Sequence, residues 1–284
     1  MIVLRIWEAF IYAVIGGITE ILPISFTGHS ILFEKTFHMS SLYSGDGPFI
    51  RAGICIGIVI ALCIIFRQET RESQIIFRRI KNGTLRSRNA RRDGQGLKMR
   101  VLLLCVIGFI PMIFSLFFLV RAEGLHKLTY ISCFFAVNGL LILICTRGPV
   151  GKKSEREATL YDMLLVGFFR MASVFPGLSS TGTSLCVGRA RGFSHSFNIR
   201  VTYTLTIALQ SLLAVFFLFR GMIVGRFYSR TILSFLVAAF VSAVVAFLAL
   251  VTFRNMVLKN KLKAFMYYCF DAAAIAFIIA IING

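Results

Sequence analysis

Long apolar stretches, separated by short basic segments, make up most of this chain. Six of them are about the length that a helix needs to cross roughly 30 Å of hydrocarbon. They lie at residues 48–66, 101–120, 129–145, 201–220, 231–252 and 264–282. Two further apolar stretches, within residues 1–47 and 158–188, are each interrupted by polar residues, proline and glycine. The pattern predicts an all-α integral membrane protein with six full spans and two broken, re-entrant helical hairpins.

The two interruptions contain similar residues. Residues 23–28 read Pro-Ile-Ser-Phe-Thr-Gly, and residues 176–182 read Pro-Gly-Leu-Ser-Ser-Thr-Gly; we call them the first and the second polar turn. Non-helical backbone at membrane depth is tolerated only where protein or a water-filled cavity surrounds it. Paired interruptions in the two halves of a membrane protein indicate a site at the interface between repeats. We therefore predict that the two turns meet near the bilayer midplane, with Glu20 and His29 facing residues 179–182 across a polar cavity.

Basic residues predict the orientation of the spans. Residues 67–100 hold eleven Lys or Arg against three acidic residues. Smaller basic clusters follow at 147–156, 189–200 and 254–263. Because positive charge marks cytoplasmic loops, the first hairpin should begin and end outside and the second should begin and end inside. One basic cluster would lie outside in this scheme and is at odds with it: Arg220, Arg226 and Arg230.

This orientation predicts an inverted-topology repeat. Each half consists of one broken hairpin followed by three transmembrane helices, and the odd number of crossings turns the second half upside down. We expect a single membrane domain over 1–284, with repeat one at about 1–146 and repeat two at about 158–284. The cytoplasmic basic loop 67–100 belongs to repeat one. Its high charge predicts no compact structure, apart from an amphipathic stretch at 74–80.

Composition and charge narrow the class of partner. Hydrophobic residues make up 57% of the chain, and the mean hydropathy is +0.82, far above ordinary globular usage. The net charge of +19 sits in loops between spans without interleaved aromatic residues. We therefore expect anionic phospholipids, and not nucleic acid, as its partners. The seven cysteines have no Cys-x-x-Cys spacing and are expected to be small hydrophobic residues.

Glu20 is the first candidate for chemistry. It is the only fixed charge within residues 11–31, and a carboxylate at membrane depth is costly enough to indicate a function. Ser25, Thr27 and His29 follow in the first polar turn. A hydroxyl with a nearby imidazole is the minimum for an activated nucleophile or a general base. A histidine that only forms structural hydrogen bonds is the alternative.

Residues 17–29, Gly-Ile-Thr-Glu-Ile-Leu-Pro-Ile-Ser-Phe-Thr-Gly-His, resemble the first signature of the undecaprenyl-diphosphate phosphatase family, the bacitracin-resistance membrane phosphatases. The second polar turn resembles the second signature, and the likeness continues through residues 192–194 and 49–67. The resemblance implies a multi-pass enzyme of the bacterial plasma membrane. Its substrate would be undecaprenyl diphosphate, whose terminal phosphate it removes to regenerate the lipid carrier of cell-wall and peptidoglycan synthesis. The sequence leaves a homodimer open.

The resemblance also implies roles for individual residues. The family's site opens to the outer side and uses a divalent cation, acidic residues, a Ser/His pair and a phosphate-binding arginine. Here Glu20 would hold the cation, Mg²⁺ or Ca²⁺, and His29 would be general base or nucleophile with Ser25 or Thr27 assisting. The phosphates of the polyprenyl lipid would lie against the remaining candidates: Arg170, Ser179, Ser180, Thr181 and Gly182.

Three positions depart from the family pattern. The family usually has Glu or Gln at the position of Gly16, its candidate nucleophilic serine at Phe26, and the arginine of its second signature at Ser180. We expect Arg170, which lies six residues before Pro176, to supply the missing cation, with a phosphate or Glu20 as its anion. An arginine at the membrane interface that binds lipid headgroups is the alternative. Two functions stay open: a phosphatase with a rearranged site, or a non-hydrolytic homologue that binds or transports a polyprenyl phosphate.

Overall fold

Helices account for the regular structure throughout the part of the chain that the computed structural model describes, residues 6–67, 95–121, 125–224 and 229–283. Eleven α-helices lie in these ranges, and the same ranges contain no β-strand. In chain order they are α1 (Ile6–Thr19), α2 (Phe26–Phe37), α3 (Gly47–Ile65), α4 (Gln95–Ile113), α5 (Ser115–Arg121), α6 (Leu128–Arg147), α7 (Leu160–Met171), α8 (Ser180–Ala190), α9 (His195–Val224), α10 (Ser229–Leu258) and α11 (Lys263–Asn283).

The predicted class, an all-α integral membrane protein, is confirmed. Six apolar helical segments are long enough to cross a membrane, and each corresponds to one of the predicted spans. The segment Met99–Leu119 covers parts of α4 and α5. The helical pattern is interrupted at Phe114 between α4 and α5, and Pro111 lies inside α4, where it lacks the N–H that would bond to the carbonyl four residues earlier. The basic-loop prediction falls mainly on residues 68–94, which lie outside the described residues.

The two broken hairpins are also present. In the first, α1 has 14 residues and α2 has 12; in the second, α7 has 12 and α8 has 11. None of these four helices reaches the roughly 20 residues that a full span requires. Each hairpin therefore places a polar turn between two short helices.

The two polar turns have the same local structure. Ser25 (φ −82°, ψ 124°) caps α2 and accepts a hydrogen bond from the Gly28 N–H. Ser179 (φ −92°, ψ 126°) caps α8 and accepts one from the Gly182 N–H. Serine is favoured at this position because its side-chain oxygen satisfies an N–H that the first helical turn leaves free. The shared Ser-x-Thr-Gly sequence thus gives a shared conformation.

Corresponding helices of the two halves pack on each other in a reciprocal way. Helix α1 packs on α10, and its counterpart α7 packs on α4, which is the counterpart of α10. Helix α3 packs on α9, and α6 packs on α11, so these helices pair with their own counterparts. This is the pattern that a two-fold relation between the halves predicts. The inverted topology itself stays a prediction, as do the proposed domain bounds.

Candidate active site

Direct hydrogen bonds join the two polar turns. The Gly177 N–H donates to Ser25 Oγ at 3.1 Å, and the Thr181 hydroxyl donates to the Glu20 carbonyl oxygen at 2.8 Å. Both bonds are buried. The prediction that the two turns meet is therefore confirmed.

Two further side chains hold the turns in place. Asn138 on α6 donates to the Pro23 carbonyl oxygen at 2.9 Å and accepts from the Ser179 N–H at 3.1 Å. Tyr203 on α9 donates from its hydroxyl to the Ile21 carbonyl oxygen at 3.0 Å. Backbone groups in a non-helical turn need such partners wherever water is excluded. The turns are consequently fixed from both halves of the molecule.

Glycine permits this close approach. A Cβ atom on Gly28 would lie 3.0 Å from the backbone of Gly177. Gly177 itself has a φ of +122°, a conformation that residues with a side chain rarely adopt. A larger residue at Gly28 would push the turns apart, and one at Gly177 would collide with the Phe134 side chain and the backbone of α6.

A cavity of about 50 Å³ lies beside this contact. Polar side chains from both halves line it, together with leucine, isoleucine, valine and phenylalanine side chains. The polar ones are Glu20, Ser25, Thr27, Tyr43, Arg51, Ser115, Ser173, Ser180 and Gln210. A buried space with so many polar groups suits a polar or charged ligand.

Glu20 and Arg51 form a buried ion pair in this cavity. Arg51 Nη2 lies 3.0 Å from Glu20 Oε1, and the two side chains are 5% and 10% exposed. The guanidinium carbon of Arg51 also lies 3.7 Å from the centre of the Phe26 ring. The guanidinium is thus held by a carboxylate and by an aromatic face.

Several polar atoms at the cavity have no partner within the protein. Arg51 Nε and Nη1 lack an acceptor, and both side-chain polar atoms of Gln210 are unpaired. Arg51 is 4% exposed and Gln210 is fully buried. Because buried polar groups normally have hydrogen-bond partners, the nitrogens of Arg51 and Gln210 indicate a ligand that presents acceptor atoms, and Gln210 Oε1 calls for a donor.

Seven of the nine predicted site residues lie at the contact between the turns and divide into two groups. Four of them line the cavity: Glu20, Ser25, Thr27 and Ser180. Ser179, Thr181 and Gly182 instead form the backbone of the second turn, where their bonds hold α8 and the first turn together. Their catalytic and phosphate-binding roles stay predictions.

His29 lies away from the cavity, contrary to the expectation that it faces the second turn. Its Nδ1 lies 2.6 Å from the Ser25 carbonyl oxygen, and its Nε2 lies 2.8 Å from the Tyr268 hydroxyl. The ring packs edge-on against Phe135 at 4.9 Å. Residues two apart on a helix are separated by roughly 200°, so His29 and the cavity-lining Thr27 occupy different faces of α2.

Arg170 also lies outside the cavity. It is fully buried, and it donates to Ser184 Oγ at 2.7 Å and to Thr206 Oγ1 at 2.6 Å. The carbonyl oxygens of Ser180 and Thr202, each at 3.3 Å, accept two more bonds. We expected a phosphate or Glu20 as its anion; neutral oxygens on α8 and α9 take that place. Arg170 therefore braces α7 against α8 and α9.

Sequence reasoning missed several cavity residues. Arg51 carried a usable signal, because it is a charge near the start of an apolar span, the criterion that singled out Glu20. Tyr43, Ser115, Ser173 and Gln210 carried none, because single neutral polar residues are common in membrane helices. Only the folded chain brings them to one place.

The cavity does not offer the ligands of a ready-made divalent cation site. Glu20 is the only carboxylate among its described lining residues, and one of its oxygens is bound to Arg51. Mg²⁺ and Ca²⁺ take six or more oxygen ligands, usually with several carboxylates. No group of three or more His, Cys, Asp or Glu in the described ranges could hold a metal. The residues therefore do not fit such an ion by themselves, and the cation stays a prediction.

Comparisons with known proteins give a consistent result. Residues 9–275 match the model of a family described as bacitracin resistance protein BacA. The chain is 31% identical over 279 residues to undecaprenyl-diphosphatase 1 of Shouchella clausii, with 95% of each chain covered. It is 27% identical over 268 residues to an undecaprenyl-diphosphatase of Methanococcus maripaludis, covering 94% of this chain and 97% of that protein. It is 26% identical over 264 residues to undecaprenyl-diphosphatase 3 of Bacillus cereus, with 92% of each covered.

Proposed function

Because the chain belongs to the BacA family of bacitracin resistance proteins, we propose that it is a membrane phosphatase acting on undecaprenyl diphosphate. Its products would be undecaprenyl phosphate, which returns to the carrier pool of cell-wall synthesis, and inorganic phosphate. Six membrane-length helices and family membership make the chain a multi-pass membrane protein, and its bacterial relatives point to the plasma membrane.

One observation carries the proposal: unpartnered donors surround a buried cavity where the two polar turns meet. A diphosphate would present both negative charge and the acceptor oxygens that Arg51 Nε and Nη1 and Gln210 Nε2 lack. Helices α2 and α8 also begin at this cavity, where Phe26 and Ser180 line it. Helix N-termini favour anions because their N–H groups and dipoles point toward the ligand.

The reaction assigns work to the cavity residues. The oxygen of a water molecule, or of a side-chain hydroxyl in a two-step reaction, forms a bond to the terminal phosphorus. The bond from that phosphorus to the bridging oxygen breaks, and the bridging oxygen leaves on the lipid phosphate. In the two-step reaction, water then attacks the phosphorus on the side chain, and the bond to the side-chain oxygen breaks to release inorganic phosphate. We assign Thr27 and Ser25 to position or supply the attacking hydroxyl and Glu20 to accept its proton, since all three line the cavity. Arg51 would stabilise negative charge on the phosphates.

A non-hydrolytic homologue that binds or transports a polyprenyl phosphate is the second candidate. Two observations favour it. Glu20 Oε1 is already occupied by the Arg51 guanidinium, and His29 is bonded to Tyr268 on the far side of α2. Binding of the lipid phosphate would need neither of them as a base.

Phosphate release from undecaprenyl diphosphate by the purified protein, with and without added Mg²⁺ or Ca²⁺, separates the two candidates. We expect release by the wild type and at least a ~100-fold loss in Glu20→Gln, because positioned proton transfer contributes about that much to a rate. Glu8→Gln is the matched control. Glu8 is a buried carboxylate near the start of α1 that accepts from the Ser40 N–H, and its substitution should leave the rate unchanged. A wild type that binds the lipid and releases no phosphate would establish the non-hydrolytic alternative.

A further inference from the structure

We infer that Arg51 is the phosphate-binding cation of this cavity, and that Gly16, Phe26 and Ser180 are the residues that accommodate it. The inference rests on the proposed function for the nature of the ligand, a polyprenyl phosphate or diphosphate. It explains the three departures from the family pattern as one coupled rearrangement. The cation that binds the phosphates lies on α3 in the first half, and not on the second polar turn.

The environment of Arg51 is that of a prepared anion-binding group. Phe26 lies under its guanidinium at 3.7 Å, and Glu20 takes one of its N–H groups at 3.0 Å. These two contacts hold the planar group in place, which lowers the cost of ordering it on binding. Nε and Nη1 stay without acceptors in a residue that is 4% exposed. Phosphate oxygens of the ligand would accept hydrogen bonds from these two nitrogens.

Gly16 makes room for Phe26. A Cβ atom on Gly16 would lie 2.5 Å from Ile54 Cγ2 and 3.1 Å from the Phe26 ring. A glutamate or glutamine at position 16 would therefore collide with Ile54 and crowd the Phe26 ring that supports Arg51. Glycine at 16 and phenylalanine at 26 belong together for this steric reason.

Ser180 keeps the same cavity free of a second cation. Ser180 and Arg51 line one space of about 50 Å³, and two guanidinium groups there would repel each other at low dielectric. Arg170 does not compete, because it does not line the cavity and both of its terminal nitrogens already donate to hydroxyl and carbonyl oxygens. Within the cavity as described, Arg51 is the only cation.

Binding of a substrate analogue that cannot be hydrolysed tests the inference. The probe is farnesyl methylene-diphosphonate, in which carbon bridges the two phosphorus atoms, and farnesol is the tail-only control. We expect Arg51→Gln in the purified full chain to bind the probe about 10- to 100-fold more weakly, since a charge-assisted contact contributes roughly that factor. Affinity for farnesol should not change.

Arg189→Gln is the matched control. Arg189 is a buried arginine that donates to Asn260 and to the Gly148 carbonyl oxygen and does not line the cavity. Its substitution should leave probe affinity unchanged. The double variant Arg51→Gln/Ser180→Arg places a guanidinium on the second polar turn instead of on α3. We expect it to recover most of the lost affinity. Phe26→Leu keeps Arg51 but removes its aromatic support, and it should weaken binding about threefold.

The outcomes separate this inference from the proposed function. Wild-type probe affinity in Arg51→Gln overturns the inference, even if the wild type hydrolyses undecaprenyl diphosphate. Lost affinity in Arg51→Gln supports it, even if the wild type releases no phosphate and the phosphatase proposal fails. If Arg51→Gln does not fold, Phe26→Leu decides: a threefold loss supports the inference, and unchanged affinity contradicts it.

Discussion

At the scale of single residues, two buried arginines of this chain have opposite surroundings. The two terminal nitrogens of Arg170 donate to hydroxyl and carbonyl oxygens of α8 and α9, and only its Nε lacks an acceptor. Arg51 has one carboxylate and one aromatic ring, and two of its nitrogens lack an acceptor. A guanidinium with its acceptors inside the protein is a structural brace, whereas one with free donors at a cavity awaits a ligand. The acceptors, and not the arginine itself, distinguish the two roles.

Arg170→Ala should therefore lower stability more than ligand affinity. The substitution removes the donors for Ser184 and Thr206 and leaves their oxygens buried, at an expected cost of about 3 kcal/mol in the free energy of unfolding. Thermal unfolding in detergent and binding of farnesyl methylene-diphosphonate to the remaining folded protein measure the two effects. A variant that is as stable as the wild type but no longer binds the probe would contradict this prediction and show that Arg170 binds the phosphates.

The sequence predicted part of the site at this scale. Glu20 was found because a carboxylate is rare in an apolar stretch, and Ser25, Thr27 and Ser180 because they interrupt one; all four line the cavity. The contacts of His29 with Tyr268 and Phe135 could not be predicted, because they depend on which face of α2 meets α6 and α11. Distant partners of this kind leave no local signal.

At the scale of elements, the two polar turns have like structures and unlike connections. Ser25 Oγ accepts from the Gly28 N–H at 3.2 Å and also from the Gly177 N–H at 3.1 Å. Ser179 Oγ accepts from the Gly182 N–H at 3.0 Å and donates to the Leu22 carbonyl oxygen over a longer 3.4 Å. Ser25 therefore caps its own helix and also anchors the other hairpin.

Ser25→Ala should be more destabilising than Ser179→Ala. Loss of either cap costs about 1 kcal/mol, but Ser25→Ala also leaves the Gly177 N–H buried without an acceptor, which adds roughly 1–3 kcal/mol. The two variants serve as controls for each other, because the residue type, the cap and the helix position are matched. Their thermal unfolding in the same detergent gives the comparison. A larger loss of stability in Ser179→Ala than in Ser25→Ala would show that the hydrogen bond from the Gly177 N–H to Ser25 contributes little.

At the scale of the whole molecule, the bilayer explains why the spans were predictable and the contacts between halves were not. A fixed hydrocarbon thickness gives every span a similar length and apolar composition, and these are read directly from the sequence. The packing of α1 on α10 and of α7 on α4 depends on which helix faces match. Almost every face is apolar, so the pattern does not distinguish them. The charge pattern predicts only the side of the membrane on which each loop lies.

That orientation can be tested with two single cysteines. Ser44 and Arg156 are exposed and precede α3 and α7, respectively; the inverted repeat predicts Ser44 outside and Arg156 inside. The exposed native Cys133 is first replaced by serine, and the resulting protein is the background control. An impermeant maleimide should label Ser44→Cys in intact cells, and Arg156→Cys only after the cells are permeabilised. An even number of crossings between the two positions would put both on one side, because each crossing reverses the side of the chain. Labelling of both cysteines in intact cells would therefore refute the inverted relation between the halves, whereas opposite labelling is what the three predicted spans between the two positions require.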